Sequence, residues 1–211
     1  MITLYDYWRS SASYRVRIAL AHLGLFWTSV PVNLIDGDQR GGDNLLRNPQ
    51  GLVPTLAIDG LTLTQSCAII EYLSETRGGG LLPQDAAGRA RVRALSYAVA
   101  MEIHPICNLS VGRYAVETSG GAIRTEDWMQ HFIAQGLNAL EAMLAQGPEG
   151  RFCHGDGLTM ADCCLVPQVY NARRFGLDMQ RYPTIHRIHA HCLSLPEFAN
   201  ALPENQPDAP R

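Results

Sequence analysis

Over the first third of the chain, short apolar runs alternate with helical spacings. Ile2–Tyr5 predicts a strand, Ser13–Leu23 a helix ended by Gly24, and Trp27–Leu34 a second β-rich segment. A polar loop and a short helix follow. Pro54–Ile58 and Leu61–Thr64 then flank Asp59-Gly60, the pattern of a hairpin closed by a two-residue turn, and Gln65–Thr76 predicts another helix. The order β-α-β-α-β-β-α implies a four-stranded mixed sheet with helices against it. A right-handed first crossover makes the two opening strands parallel.

Arg77-Gly78-Gly79-Gly80 ends this pattern, and Leu81-Leu82-Pro83-Gln84-Asp85 has neither period. Residues 1–80 are therefore expected to form an α/β domain, 81–86 a linker and 87–211 an all-α domain. In the second part Trp128, Phe132, Leu137, Leu140 and Leu144 recur at helical spacing, and Arg89–Thr118 fits a longer, interrupted helix. Thr159-Met160-Ala161-Asp162 is a variant capping box between Leu158 and Cys163, which places a helix start at Met160. The proline-rich segment Pro203–Arg211 is expected to be extended or mobile, or to pack over a neighbouring surface.

Composition narrows the chemistry. The chain has 211 residues, 46% hydrophobic and 18% charged, with a net charge of −3, enough for a substantial core. No apolar run approaches the roughly 18 residues of a membrane span, and the strand-like start is unlike a targeting segment, so a cytoplasmic protein without membrane association is expected. All 17 basic residues are arginine, which excludes a Schiff-base lysine, a pyridoxal anchor and a P-loop lysine in this chain. Arg89, Arg91 and Arg93 are the one dense basic cluster, too little for a nucleic-acid partner. The six cysteines lack C-x-x-C spacing and are expected to be reduced and mostly buried. His186 and His189 would share a helix face, but no carboxylate accompanies them, so no metal site is expected.

Three segments carry candidate chemistry. Ser10, Ser11 and Ser13 cluster where the first helix starts, and free N–H groups there favour an anion such as a thiolate. Ser13 fits a plain N-cap, a role that one serine fills alone. Val53-Pro54 opens a buried strand. A cis bond there would turn the Val53 backbone outward to pair with an extended peptide, whereas a trans proline would mark only a strand start. Gln65-Ser66 opens the last helix of the first part, offering a hydroxyl and N–H groups to a carboxylate, or simply a cap.

Taken together, these segments resemble the zeta class of the glutathione transferase family. The resemblance runs through Ser10-Ser11-Ala12-Ser13-Tyr14-Arg15-Val16-Arg17, Asn48-Pro49-Gln50-Gly51-Leu52-Val53-Pro54 and Gln65-Ser66. It continues through Leu82-Pro83-Gln84-Asp85, Asn108-Leu109-Ser110, Thr159-Met160-Ala161-Asp162 and Leu165-Val166-Pro167-Gln168-Val169. It implies a thioredoxin-like, glutathione-binding domain followed by a helical substrate domain, glutathione as cofactor, and a homodimer. Ser10 and Ser11 take the catalytic place. Contacts to glutathione carry over to Ser10, Ser11, Ala12, Ser13, Tyr14, Arg15, Gln39, Val53, Gln65, Ser66, His104, Asn108, Leu109 and Ser110. The class often has a cysteine where this chain has Ala12, so a mechanism that uses that thiol is excluded.

The activity so implied is glutathione-dependent cis–trans isomerisation of a small maleyl dicarboxylate. Maleylacetoacetate to fumarylacetoacetate, a step of aromatic amino-acid degradation, is the leading reading. Arg9 and Arg174, the second of two adjacent arginines in Asn171-Ala172-Arg173-Arg174-Phe175, are the candidates to hold the substrate carboxylates. Maleylpyruvate as substrate, a transferase acting on α-halo acids, and a non-catalytic glutathione- or ligand-binding protein remain open alternatives.

Overall fold

A computed structural model describes residues 1–148 and 150–210; Glu149 and Arg211, which the expected helical span 87–211 includes, lie outside the described residues. Contacts divide the chain into two compact units, one of Met1–Leu81 with the segment from Leu193 onward, the other of Leu82–Cys192. The closing segment was expected with the helical part. It groups with the first unit because α1 packs against the last helix.

In the first unit β1 (Thr3–Asp6) is followed by α1 (Ser11–His22), β2 (Thr28–Pro31) and α2 (Gly42–Arg47), then β3 (Thr55–Ile58), β4 (Leu61–Thr64) and α3 (Ser66–Thr76). The sheet order is β2-β1-β3-β4, with β1 parallel to β2 and both other pairs antiparallel. The β3–β4 hairpin turns at Asp59 (φ 53°) and Gly60 (φ 77°), the two positive values that a tight primed turn requires. Leu4, Leu56 and Ile58 face the core from the sheet, and Ile69, Ile70 and Leu73 from α3. Helix α1 is unusual: every residue from Ala12 to Leu20 is buried, including Arg15 and Arg17. A helix enclosed all round presents no single apolar stripe.

Among the described residues, the regular elements of the second unit are all helices. The unit comprises α4 (Ala86–Tyr97), a wide π-type turn over Ala98–Ile103, α5 (Leu109–Thr118), α6 (Thr125–Ala145), α7 (Met160–Arg174) and α8 (Pro183–Leu193), whose last residue opens the closing segment. On α6 the buried stripe is Met129, Ile133, Leu137, Leu140 and Leu144. Trp128 and Phe132 sit beside that stripe, with ring centroids 4.6 Å apart. Helix α7 begins at the expected Met160. Asp162, fully buried, accepts from the Thr159 N–H (2.8 Å), the Thr159 hydroxyl (2.9 Å) and the more distant Cys153 N–H (2.8 Å). Among the described residues no helix is long and apolar enough to cross a membrane.

In the closing segment, α9 (Pro196–Ala201) leads into a single turn at Pro203–Asn205. Gln206 then donates to the carbonyls of Asn200 and Leu202. Of the two outcomes expected for this segment, the structure shows packing instead of an extended run, with Gln206 and Asp208 held by hydrogen bonds.

Candidate active site

The start of α1 is built by a turn. The Ser10 N–H donates to the Tyr7 carbonyl at 2.9 Å, so Trp8 and Arg9 are its central residues. Ser10, in extended conformation, is the N-cap: its Oγ accepts the Ser13 N–H at 3.2 Å. The cap was expected at Ser13. That side chain is instead wholly buried inside the first turn, its hydroxyl without a partner. Capping uses a lone pair of Ser10 Oγ and leaves its O–H proton to donate. The N–H groups of Ser11 and Ala12, at the first two helical positions, have no intrahelical acceptor. A half-buried hydroxyl thus stands beside two orphan donors at the positive end of a twelve-residue helix.

The start of α3 differs. Its N-cap residue Gln65 makes no side-chain cap and lies at φ 67°, ψ 110°, a conformation that costs a side-chain-bearing residue of order 1 kcal/mol or more. The Gln65 amide donates to Gln50 Oε1 at 2.8 Å. Behind it, Arg15 from α1 donates to Ser66 Oγ at 3.2 Å, and both residues are buried. Nε and Nη2 of Arg15 have no partner, although the residue is only 2% exposed. A buried guanidinium without a carboxylate beside an uncapped helix start is half of an anion site.

Nearby loops are fixed by side-chain amides. Asn48 donates to the Leu52 carbonyl (2.9 Å) and accepts from the Gln50 N–H (3.1 Å). The Val53–Pro54 bond is cis, and the β1–β3 ladder ends at Thr55, so Val53 lies beyond the paired residues. Asn44 holds the Gln39 carbonyl at 2.9 Å, and Gln39 Oε1 is buried without a partner. Arg9, half-buried, lies over the Trp8 ring, 5.1 Å from its centroid.

The second unit carries the remaining candidates. His104 follows the wide turn, a helix distortion that recurs at functional positions. Asn108 caps α5, accepting from the Ser110 N–H (3.0 Å) and hydroxyl (2.9 Å), with Leu109 and Ser110 exposed. Arg173 and Arg174 at the end of α7 are both exposed, and Arg174 lies 5.0 Å from the Phe175 ring centroid. His189, by contrast, is buried, and that burial, with Arg173 and His186 nearby, lowers its pKa to about 4. Among the described residues no group of three or more His, Cys, Asp or Glu side chains could hold a metal ion. All six cysteines are free, four of them buried, and burial pushes the Cys107 thiol up to about 11.

Sequence reasoning assigned no role to Gln50, Asn48 or the partners of Arg17. The Arg17 guanidinium bonds Asp6 (2.7 Å), the Trp8 carbonyl (2.7 Å) and the Ala201 carbonyl (3.2 Å). Burial pushes the Asp6 carboxyl up and Arg17 down, and their mutual contact opposes both shifts. The available signal was an arginine within Tyr14-Val16-Ile18-Ala19-Leu20, since a buried charge needs partners.

Comparisons with known proteins agree with this layout. Residues 1–75 match the family described as "Glutathione S-transferase, N-terminal domain", and residues 125–191 that described as "Glutathione S-transferase, C-terminal domain". A maleylacetoacetate isomerase of Rhizobium meliloti (strain 1021) is 57% identical over 203 residues, covering 95% of each chain. A holo structure of maleyl pyruvate isomerase, described as a bacterial zeta-class glutathione S-transferase, aligns with TM-score 0.94 and 42% identity over 99% of this chain and 100% of its own. Maleylacetoacetate isomerase from Anaeromyxobacter dehalogenans 2CP-1, with glutathione bound in its active site, aligns with TM-score 0.89 and 46% identity over 100% and 98%. The same protein has also been crystallised with dicarboxyethyl glutathione and citrate in the active site.

Proposed function

The chain belongs to the zeta class of the glutathione S-transferase family, and from that premise we propose that it isomerises a maleyl dicarboxylate with glutathione, maleylacetoacetate to fumarylacetoacetate being the leading substrate pair. The observation that carries this reading is the under-satisfied start of α1, where Ser10 keeps a proton to donate, in a chain 57% identical to a maleylacetoacetate isomerase along nearly its whole length. The dicarboxyethyl glutathione held by the Anaeromyxobacter relative supports a diacid substrate.

The residues present fit glutathione. Two unpartnered nitrogens on buried Arg15, the uncapped start of α3 and the unpartnered Gln39 Oε1 leave polar groups whose desolvation a ligand with carboxylates, an amine and amides would offset. Gln65 and Ser66, backed by Arg15, would hold the γ-glutamyl end, the Val53 backbone the peptide, and Gln39, His104 and the segment 108–110 further polar groups. When bound, glutathione supplies a thiolate that adds reversibly to the cis double bond, which rotates as a single bond and re-forms when the thiolate leaves. Ser10 raises the reactive fraction. A thiol of pKa about 8.5 is only a few per cent ionised at neutral pH, and a donated hydroxyl proton together with the free N–H groups of Ser11 and Ala12 at the start of α1 stabilises the anion, while the Ser13 N–H holds Ser10 Oγ in place. Tyr14, buried in the same turn, fixes the helix start by packing. Arg9 and Arg174 hold the substrate carboxylates by charge-assisted hydrogen bonds. The six unbridged cysteines suit a reducing cytoplasm, and exposed Leu46 and Leu52 suit the homodimer that is part of this reading.

The test is turnover of maleylacetoacetate and of maleylpyruvate by the purified protein, with and without glutathione. Isomerisation only with glutathione, which is recovered unconsumed, and faster on maleylacetoacetate, is the expected result. Binding without turnover of either diacid would leave a ligand-carrying protein.

A further inference from the structure

Trp8 is held through its backbone on both sides. Its N–H donates to Asp208 Oδ2 at 2.9 Å, from a residue 200 positions away, and its carbonyl accepts Arg17 Nη2 at 2.7 Å. The same Arg17 reaches the Ala201 carbonyl of α9, so one guanidinium ties the turn before α1 to the closing segment that carries Asp208. The other Asp208 oxygen, Oδ1, is buried without a partner. The carboxylate is thus committed to a single backbone donor and to the nearby positive charge of Arg17.

We propose that Asp208 is a positioning residue, which with Arg17 clamps the Trp8 backbone and so sets Arg9 and Ser10 for their work on the ligand. Trp8 and Arg9 are the central residues of the turn that the Ser10 N–H closes on the Tyr7 carbonyl. Freeing the Trp8 N–H lets that turn open, which swings the Ser10 Oγ and removes the ring on which Arg9 rests. The contact reads a backbone atom and is independent of the side chain at position 8. The inference rests on the role given to Ser10 above, and its structural half can be measured without activity.

Asp208 is the residue to change, since removing Arg17 would strand buried Asp6 and unfold the unit for reasons unrelated to the turn. The experiment compares amide hydrogen exchange at Trp8, Ser10 and, as a control in β3, Leu56, in the full chain, Asp208→Ala and Asp208→Asn. Loss of one charge-assisted hydrogen bond should speed exchange at Trp8 and Ser10 in Asp208→Ala by about tenfold or more, with Leu56 unchanged. The catalytic constant should fall by about the same factor, while glutathione affinity, carried by the start of α3, stays within about twofold. Asp208→Asn, which keeps an acceptor for the Trp8 N–H, should restore most of both. Unchanged exchange at Trp8, or equal acceleration at Leu56, would overturn the proposal. If the unaltered protein isomerises neither diacid, the functional reading fails, while the exchange result still decides whether Asp208 holds the turn.

Discussion

The starts of α7 and α3 are two helix N-termini with opposite polar accounts. At α7 three donors converge on one buried carboxylate, Asp162, whose pKa burial pushes up against the pull of the Cys153 and Thr159 hydrogen bonds. The capping carboxylate there is engaged entirely by the fold. At α3 the cap residue makes no cap, the backbone is held at an unfavourable φ, and a buried arginine donates to Ser66 with nitrogens to spare. The start of α1 lies between them, capped by Ser10 but with that hydroxyl's proton uncommitted. A saturated helix start stabilises the fold, and an unsaturated one is kept for something that binds.

The largest expected effect comes from emptying the saturated end. Asp162→Ala leaves the N–H groups of Cys153 and Thr159 and one hydroxyl buried without acceptors, a cost of roughly 3 kcal/mol or more in urea unfolding. Turnover per folded molecule should not change. A loss below about 1 kcal/mol would break the contrast between the two ends. Gln65→Gly sharpens it from the other side. Glycine relieves the positive φ but frees the unfolded chain, so stability should match the native protein or rise by up to about 1 kcal/mol. Glutathione affinity should fall about tenfold, read by calorimetry, if the Gln65 amide holds the γ-glutamyl end as proposed.

Much of the fold was legible where its signals are local. The Asp59-Gly60 hairpin, the alternating β and α runs, and the α7 start at Met160 each follow from a few adjacent residues. The cap of α1 was not legible in that way. Ser10, Ser11 and Ser13 all satisfy the local rule, and the choice of Ser10 comes from the turn that closes on the Tyr7 carbonyl. The wide turn before His104 and the φ of Gln65 have no compositional mark, because packing and not propensity imposes them. The helical period on α6 was right, but its buried stripe is centred on Met129 and Ile133 instead of Trp128 and Phe132. Asp208 was hidden by distance: a contact across 200 positions leaves no trace in any window of sequence.

The most direct test of the central claim, that the start of α1 is kept unsaturated to stabilise a thiolate, is the ionisation of protein-bound glutathione followed by thiolate absorbance across pH. In the native protein the bound thiol should titrate at least about one unit below its free value of about 8.5. In Ser10→Ala it should return by about one unit toward that value, with turnover reduced about ten- to a hundredfold and glutathione affinity little changed. The same titration in both proteins, or a bound thiol still at about 8.5 in the native one, would contradict the claim.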